Sequence, residues 1–80
     1  MKDEIDEKVK RIVADVFRKK PSEIRDETDF VKDLHAKSID IMALLAALEG
    51  EFNIHIPSYE VRENNTVGKA IAYMKKRLKS

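Results

Sequence analysis

The sequence has no cysteine and no tryptophan, and only two glycines and two prolines in 80 residues. Lack of cysteine excludes disulfides and thiolate metal sites, so any thiol chemistry must come from an added group. Two histidines alone make a poor metal set. No apolar run is long enough to cross a bilayer. The opening MKDEIDEKVKR has no signal-peptide apolar region, so the cytoplasm is the expected location. Net charge is only +1. The cations gather at Arg18, Lys19 and Lys20 and again at Lys75, Lys76, Arg77 and Lys79, where they suit the C-terminal ends of helices. A nucleic-acid binder needs a dominant basic excess with base-reading or aromatic groups beside it. The five aromatics here fall mostly at core positions instead, and no nucleic-acid partner is expected.

What is present is helical periodicity. Apolar residues make up 42% and charged residues 39%, as in a globular domain. Residues 1–80 are expected to form one domain, burying roughly 60% of its unfolded surface. Ile5, Val9, Ile12, Val13 and Val16 share one face of a helix over residues 3–18, with Asp3 and Glu4 at its start and Pro21 as its stop. Val67, Ala70, Ile71, Met74 and Leu78 repeat the pattern over residues 67–78, after the turn and cap cluster Asn64-Asn65-Thr66. Between them, residues 21–37 read as a long connection. Ile24, Phe30 and the pair Val31/Leu34 can anchor it, and Thr28-Asp29-Phe30 can nucleate a helical turn.

The chain is organised around residues 33–57, DLHAKSIDIMALLAALEGEFNIHIP. A helix is expected over residues 38–51, with Ser38 as its N-cap. Ile41, Leu44, Leu45, Leu48 and Phe52 mark its inner face, and Ile39, Met42, Ala43 and Ala46 a second apolar stripe. Apolar residues on two faces mean deep burial or a sticky surface. Gly50 weakens this helix, and Asn53 is a plausible stop. Ile54 and Ile56 alternate with His55, but a lone extended segment has no pairing partner, so they are read as plugs of the core. Pro57 opens a short helix to about Glu63, with Tyr59 and Val61 facing inward.

Ser38 could pair with His35 or His55 for nucleophilic work, but nothing local specifies an oriented base or an oxyanion site. So small a domain has little room for a substrate cleft. No catalytic residues and no metal ligands are assigned, and the chain is not expected to be an enzyme.

Phe30-Val31-x-Asp33-Leu34, Ser38 with Asp40, Leu48-Glu49-x-Glu51-Phe52, Ile54-x-Ile56-Pro57 and Thr66-Val67 occur here in an order and spacing that resemble the acyl carrier protein family along nearly the whole chain. The resemblance implies an all-α four-helix bundle: three main helices, one short third helix and a long first loop. It implies 4′-phosphopantetheine joined covalently to Ser38, carrying acyl groups as thioesters for enzymes of fatty-acid, other lipid or specialised acyl metabolism. A phosphopantetheinyl transferase and acyl-transferring or acyl-modifying enzymes would be the partners of a monomeric carrier. Ile39, Asp40, Met42, Ala46 and Glu49 would meet them. The chain also departs from the family. Its triplet is Lys37-Ser38-Ile39 in place of Asp-Ser-Leu, and His35 stands where glycine is usual. Lys37, Ala43, His55 and Arg62 occupy positions often acidic, while Asp40, Glu49 and Glu51 remain. Rim charges act mainly on encounter and partner choice, so the surface reads as specialised. The alternative is a small helical interaction domain without a prosthetic group.

Overall fold

The computed structural model describes residues 4–79, which form four α-helices and one 3₁₀ turn. Asp3, expected at the start of the first helix, lies outside the described residues. Helix α1 is Glu4–Phe17, α2 is Ser38–Phe52, α3 is Ser58–Glu63 and α4 is Val67–Lys79. The first helix packs against both α2 and α4.

The one-sided pattern of α1 buries Val9, Val13 and Ala14, with Ile5, Ile12 and Val16 packed at the edge of the core. Its stop is not Pro21. Arg18 adopts a left-handed conformation at φ 57°, the Lys19 amide donates to Ala14 O at 2.8 Å, and the Arg18 amide to Asp15 O at 3.4 Å. That is a Schellman closure with arginine in the position glycine usually takes. Pro21 then opens the 3₁₀ turn Pro21–Glu23, where its fixed φ and missing N–H cost nothing.

The long connection is ordered by its own hydrogen bonds. Asp29 Oδ1 accepts the amides of Val31 (2.9 Å) and Lys32 (2.8 Å), and the Asp33 and Leu34 amides donate to Asp29 O. The expected helical turn forms, with Asp29 as its cap. Ile24 and Phe30 are buried and Leu34 packs against the core, but Val31 is 61% exposed. Its place in that turn sends it outward while Phe30 takes the inward position, where its ring lies 6.3 Å from that of Phe17.

The connection also completes α4. The first amides of a helix have no intrahelical acceptor. Here Val67 N–H donates to Thr28 O (2.9 Å) and Gly68 N–H to Asp26 O (2.8 Å), while Phe30 N–H donates back to Asn65 O (3.0 Å). Thr66 Oγ1 takes the Lys69 amide at 3.2 Å, as a cap threonine should. Ion pairs add to the joints: Lys10 with Asp26 at 3.0 Å, and Lys75 with Asp6 at 2.8 Å between α4 and α1.

Asn53 ends α2 in the left-handed conformation (φ 53°), as its position suggested. Ile56 plugs the core at 3% exposure, and Ile54 packs at its edge. Tyr59, however, is 62% exposed. The six-residue α3 presents a single narrow inner strip, which Val61 takes.

Candidate functional site at the start of the second helix

Ser38 is exposed at the head of α2, but it is not the cap. Lys37 is, with extended backbone at φ −104° and ψ 170°. Ser38 is the first helical residue. A lysine ammonium has no lone pair to offer the first-turn amides. The reciprocal half of a capping box forms instead: the Lys37 amide donates to Asp40 Oδ2 at 2.9 Å. The consequence for Ser38 is direct. Among the described residues its hydroxyl has no hydrogen-bond partner, neither a backbone amide nor a histidine. His35, three residues earlier, sits at φ 54°, so the backbone does take the glycine-like conformation there.

Behind Ser38 the two stripes of α2 separate. Leu44 and Leu48 are buried, with Ile41, Leu45 and Phe52 at the margin of the core. Ile39 is 74% and Met42 69% exposed, and Ala43 and Ala46 are exposed beside them. A shallow groove of about 660 Å³ runs from Ser38 between α2 and α3, with Met42 and Ala46 among its apolar groups and Lys37, Glu49, Ser58 and Arg62 among its polar ones. Deeper in, Leu44, Leu48, Ile56 and Met74 line a small apolar void of about 30 Å³.

The acidic residues of α2 are engaged within the chain. Asp40 holds the Lys37 amide. Glu49 Oε2 accepts the Ile56 amide at 2.7 Å and lies 3.2 Å from His55 Nδ1. Glu51 meets Lys8 at 3.8 Å. Lys37 and Arg62 are exposed, and among the described residues neither meets a carboxylate at ion-pair distance. No group of three or more His, Asp or Glu able to hold a metal occurs among the described residues, and no described helix is long and apolar enough to cross a membrane.

Residues 7–74 match the family model described as the phosphopantetheine attachment site. This chain is an acyl carrier protein family member. Among solved structures it is similar to the acyl carrier protein of Enterococcus faecalis, 31% identical, with 89% of this chain and 90% of that chain covered and a TM-score of 0.73. The helical bundle is thus the acyl carrier protein fold. Its group is 4′-phosphopantetheine, and its role is that of an acyl carrier. A free, exposed hydroxyl beside the Lys37 ammonium fits a group that begins in a phosphodiester, although the Glu49 carboxylate also lines the groove. Once bound, the group supplies the thiol that a cysteine-free chain lacks.

Proposed function

We propose that Ser38 is the residue that carries the arm, and that the loaded protein presents acyl thioesters to a dedicated set of lipid or specialised acyl-metabolising enzymes in the cytoplasm. The observation that carries this is the unbonded, exposed hydroxyl of Ser38 at the start of α2. A hydroxyl tied up as a cap would have to be released before it could react. This one is available. Attachment joins Ser38 Oγ to the phosphorus of the phosphopantetheinyl half of coenzyme A. The pyrophosphate link breaks, adenosine 3′,5′-bisphosphate leaves, and the serine proton passes to a base on the transferase. The first-turn amides of α2 and its dipole favour an anion at that point.

Ile39, Met42 and Ala46 form the partner-facing stripe in this reading. Their exposure supports it, because a second apolar stripe not needed by the core is a contact surface. Asp40 and Glu49 border the stripe with carboxylates already engaged in the fold. The charges left over are Lys37 and Arg62, which supports enzymes other than those that read a strongly acidic carrier. The protein itself performs no chemistry and works as a monomer.

Incubation of the purified chain with coenzyme A and a phosphopantetheinyl transferase tests the reading by intact mass. The expected result is a gain of one phosphopantetheinyl group, absent in Ser38→Ala. Because Ser38 is not the cap, that variant should stay folded, within about 0.5 kcal/mol of the parent. Modification persisting in Ser38→Ala would move the site to another hydroxyl. An unchanged parent mass would leave a helical interaction domain without a prosthetic group.

A further inference from the structure

The chain has three methionines and no cysteine. Met74 is buried at 1% exposure, Met42 stands out at 69%, and Met1 lies outside the described residues. Among the described residues Met42 therefore holds the one sulfur open to solvent. Its place is specific. It follows Ser38 by four residues in α2, so the two share a helix face, about 6 Å apart along the axis. Both line the same groove, together with Val31. Val31, Ile39 and Met42 are three of the four large apolar side chains exposed on the described surface, Tyr59 being the fourth. A gathering of this kind around one point marks a contact surface. The core makes no claim on Met42, which is not among the side chains packed against it.

On the reading of Ser38 as the attachment point and the α2 stripe as the docking face, we infer that Met42 is a reversible oxidation site whose sulfoxide blocks docking of the enzymes that load and use the carrier. Hydrogen peroxide is the oxidant. A lone pair of Met42 Sδ attacks one peroxide oxygen and the O–O bond breaks. That oxygen stays on sulfur as the sulfoxide, and the other leaves as water. The sulfide is oxidised and the peroxide reduced. Reversal takes an enzyme of the methionine sulfoxide reductase class. The sulfoxide oxygen then leaves as water while a dithiol closes to a disulfide. A chain without cysteine cannot supply that dithiol, so repair comes from outside. The physical effect is local. Oxidation turns a flexible apolar side chain into a polar, chiral one and disrupts apolar contacts. On an exposed helix face the sulfoxide is solvated, and the fold does not feel it. Under a docked partner it must shed that water, which is costly for any polar group given no new hydrogen bond. Burial shelters Met74 from the same reaction.

The test uses the full-length apo chain, in which no arm thiol competes for the oxidant. The untreated parent is first loaded with coenzyme A and a transferase, and peptide mapping places the arm. Peroxide is then applied to fresh apo protein and removed before any assay. Mapping should find the added oxygen on Met42 well before Met74, with Met1 read separately, and the urea midpoint should not move. Holo-form production by the oxidised chain should slow roughly tenfold at carrier concentrations below KM, the scale of stranding a polar group in an interface. The loss should sit in KM rather than kcat. Methionine sulfoxide reductase with dithiothreitol should restore the rate. Met42→Leu, compared only with itself before and after peroxide, should lose nothing, while Met74→Leu should lose as much as the parent. Full-rate loading with oxygen on Met42 would overturn the inference and leave attachment at Ser38 standing. So would a loss that survives in Met42→Leu, a loss the reductase does not reverse, a lowered urea midpoint, or oxidation of Met74 as fast as Met42. An arm absent from Ser38 in the untreated parent would bring down both readings.

Discussion

Glu49 and Ile56 lie seven residues apart in sequence and 2.7 Å apart at Oε2 and the amide nitrogen. The same oxygen lies 3.2 Å from His55 Nδ1. Among the described residues the segment between α2 and α3 pairs with no strand, and Ile56 is buried at 3% exposure, so its amide needs an acceptor that moves inward with it. Glu49 supplies one from the last turns of α2. Glu49→Ala should then destabilise the protein by about 1–3 kcal/mol, the usual cost of stranding a buried donor. Glu49→Gln, which keeps an acceptor oxygen, should cost less. Urea midpoints for both, with hydrogen exchange at the Ile56 amide, check this. Equal losses would mean that the carboxylate charge matters more than the bond.

The core pattern of α1, α2 and α4 was legible because each helix repeats apolar residues at helical spacing, and Val9, Val13, Leu44, Leu48, Ile71 and Met74 are buried where that spacing puts them. The exposed stripe of Ile39 and Met42 was legible for the same reason: α2 has more apolar faces than a small core can use. Other features depend on contacts between distant parts of the chain. Nothing local says that the carbonyls of Asp26 and Thr28 will receive the first amides of α4. Arg18 in a left-handed conformation breaks the expectation that glycine closes helices. Propensity favours Ser38 as the cap of α2, whereas the cap is Lys37, whose amide Asp40 accepts one residue earlier. Hydrophobicity alone puts Val31 and Tyr59 inside, but both sit in short elements with a narrow inward strip, which Phe30 and Val61 take.

The two glycines should respond to alanine in opposite directions. At Gly50 an added Cβ meets nothing within 4 Å. The residue lies on an exposed face of α2, so Gly50→Ala should stabilise by up to about 1 kcal/mol through helix propensity. At Gly68 a Cβ would lie 3.0 Å from Asp26 O, the acceptor of the Gly68 amide. The crowding is against backbone, which cannot swing away as a side chain can. Gly68→Ala should cost about 1–3 kcal/mol, as overpacking does. Thermal melts of the two variants beside the parent are sufficient, and a stabilised Gly68→Ala would show that the loop yields without loss.

The two faces of α2 should separate as clearly. Leu48 is 5% exposed among the helices, and Leu48→Ala should cost about 2–5 kcal/mol. Ile39 is 74% exposed, and Ile39→Ala should stay within about 0.5 kcal/mol. If Ile39→Ala is instead the more damaging change in urea, the exposed stripe is structural rather than a partner surface.

Asp29 gives the acid limb of the stability curve a local cause. The Lys32 amide, donating to Oδ1, holds its carboxyl below the ordinary aspartate value; partial desolvation opposes this, while the Val31 amide and the Lys32 and Lys69 charges reinforce it. A folded-state value below the unfolded one means stabilisation present above the unfolded value and lost as pH falls through the folded one. Asp29→Asn keeps an acceptor and removes the charge. The parent should therefore exceed Asp29→Asn in urea midpoint near neutral pH, and the gap should close in acid. A gap that is constant with pH would mean that the turn is held by geometry alone.

Lys37 links the cap of α2 to the charge of the partner surface, and a single substitution alters both. It caps the helix without a side-chain bond, so Lys37→Asp should strengthen the helix start as well as reverse the charge beside Ser38. A transferase that docks acidic carriers through a basic patch meets like charge at Lys37. At about 4 Å in bulk water such a pair costs about 1 kcal/mol, and reversing its sign spans about twice that before screening. Lys37→Asp should then speed modification by such a transferase by about five- to thirtyfold at low salt. Most of the gain should disappear near 1 M salt, where the screening length is about 3 Å. Lys37→Asn separates the two effects, since asparagine caps as well as aspartate but carries no charge. It should match Lys37→Asp in added helix stability and fall well short of it in rate. Initial rates of holo-form production for the three proteins, at low and high ionic strength, provide the comparison. If Lys37→Asn is as fast as Lys37→Asp, order at the helix start controls loading. If all three are equal at both salts, Lys37 makes no discriminating contact, and the case for a separate set of partners rests on Ala43, His55 and Arg62.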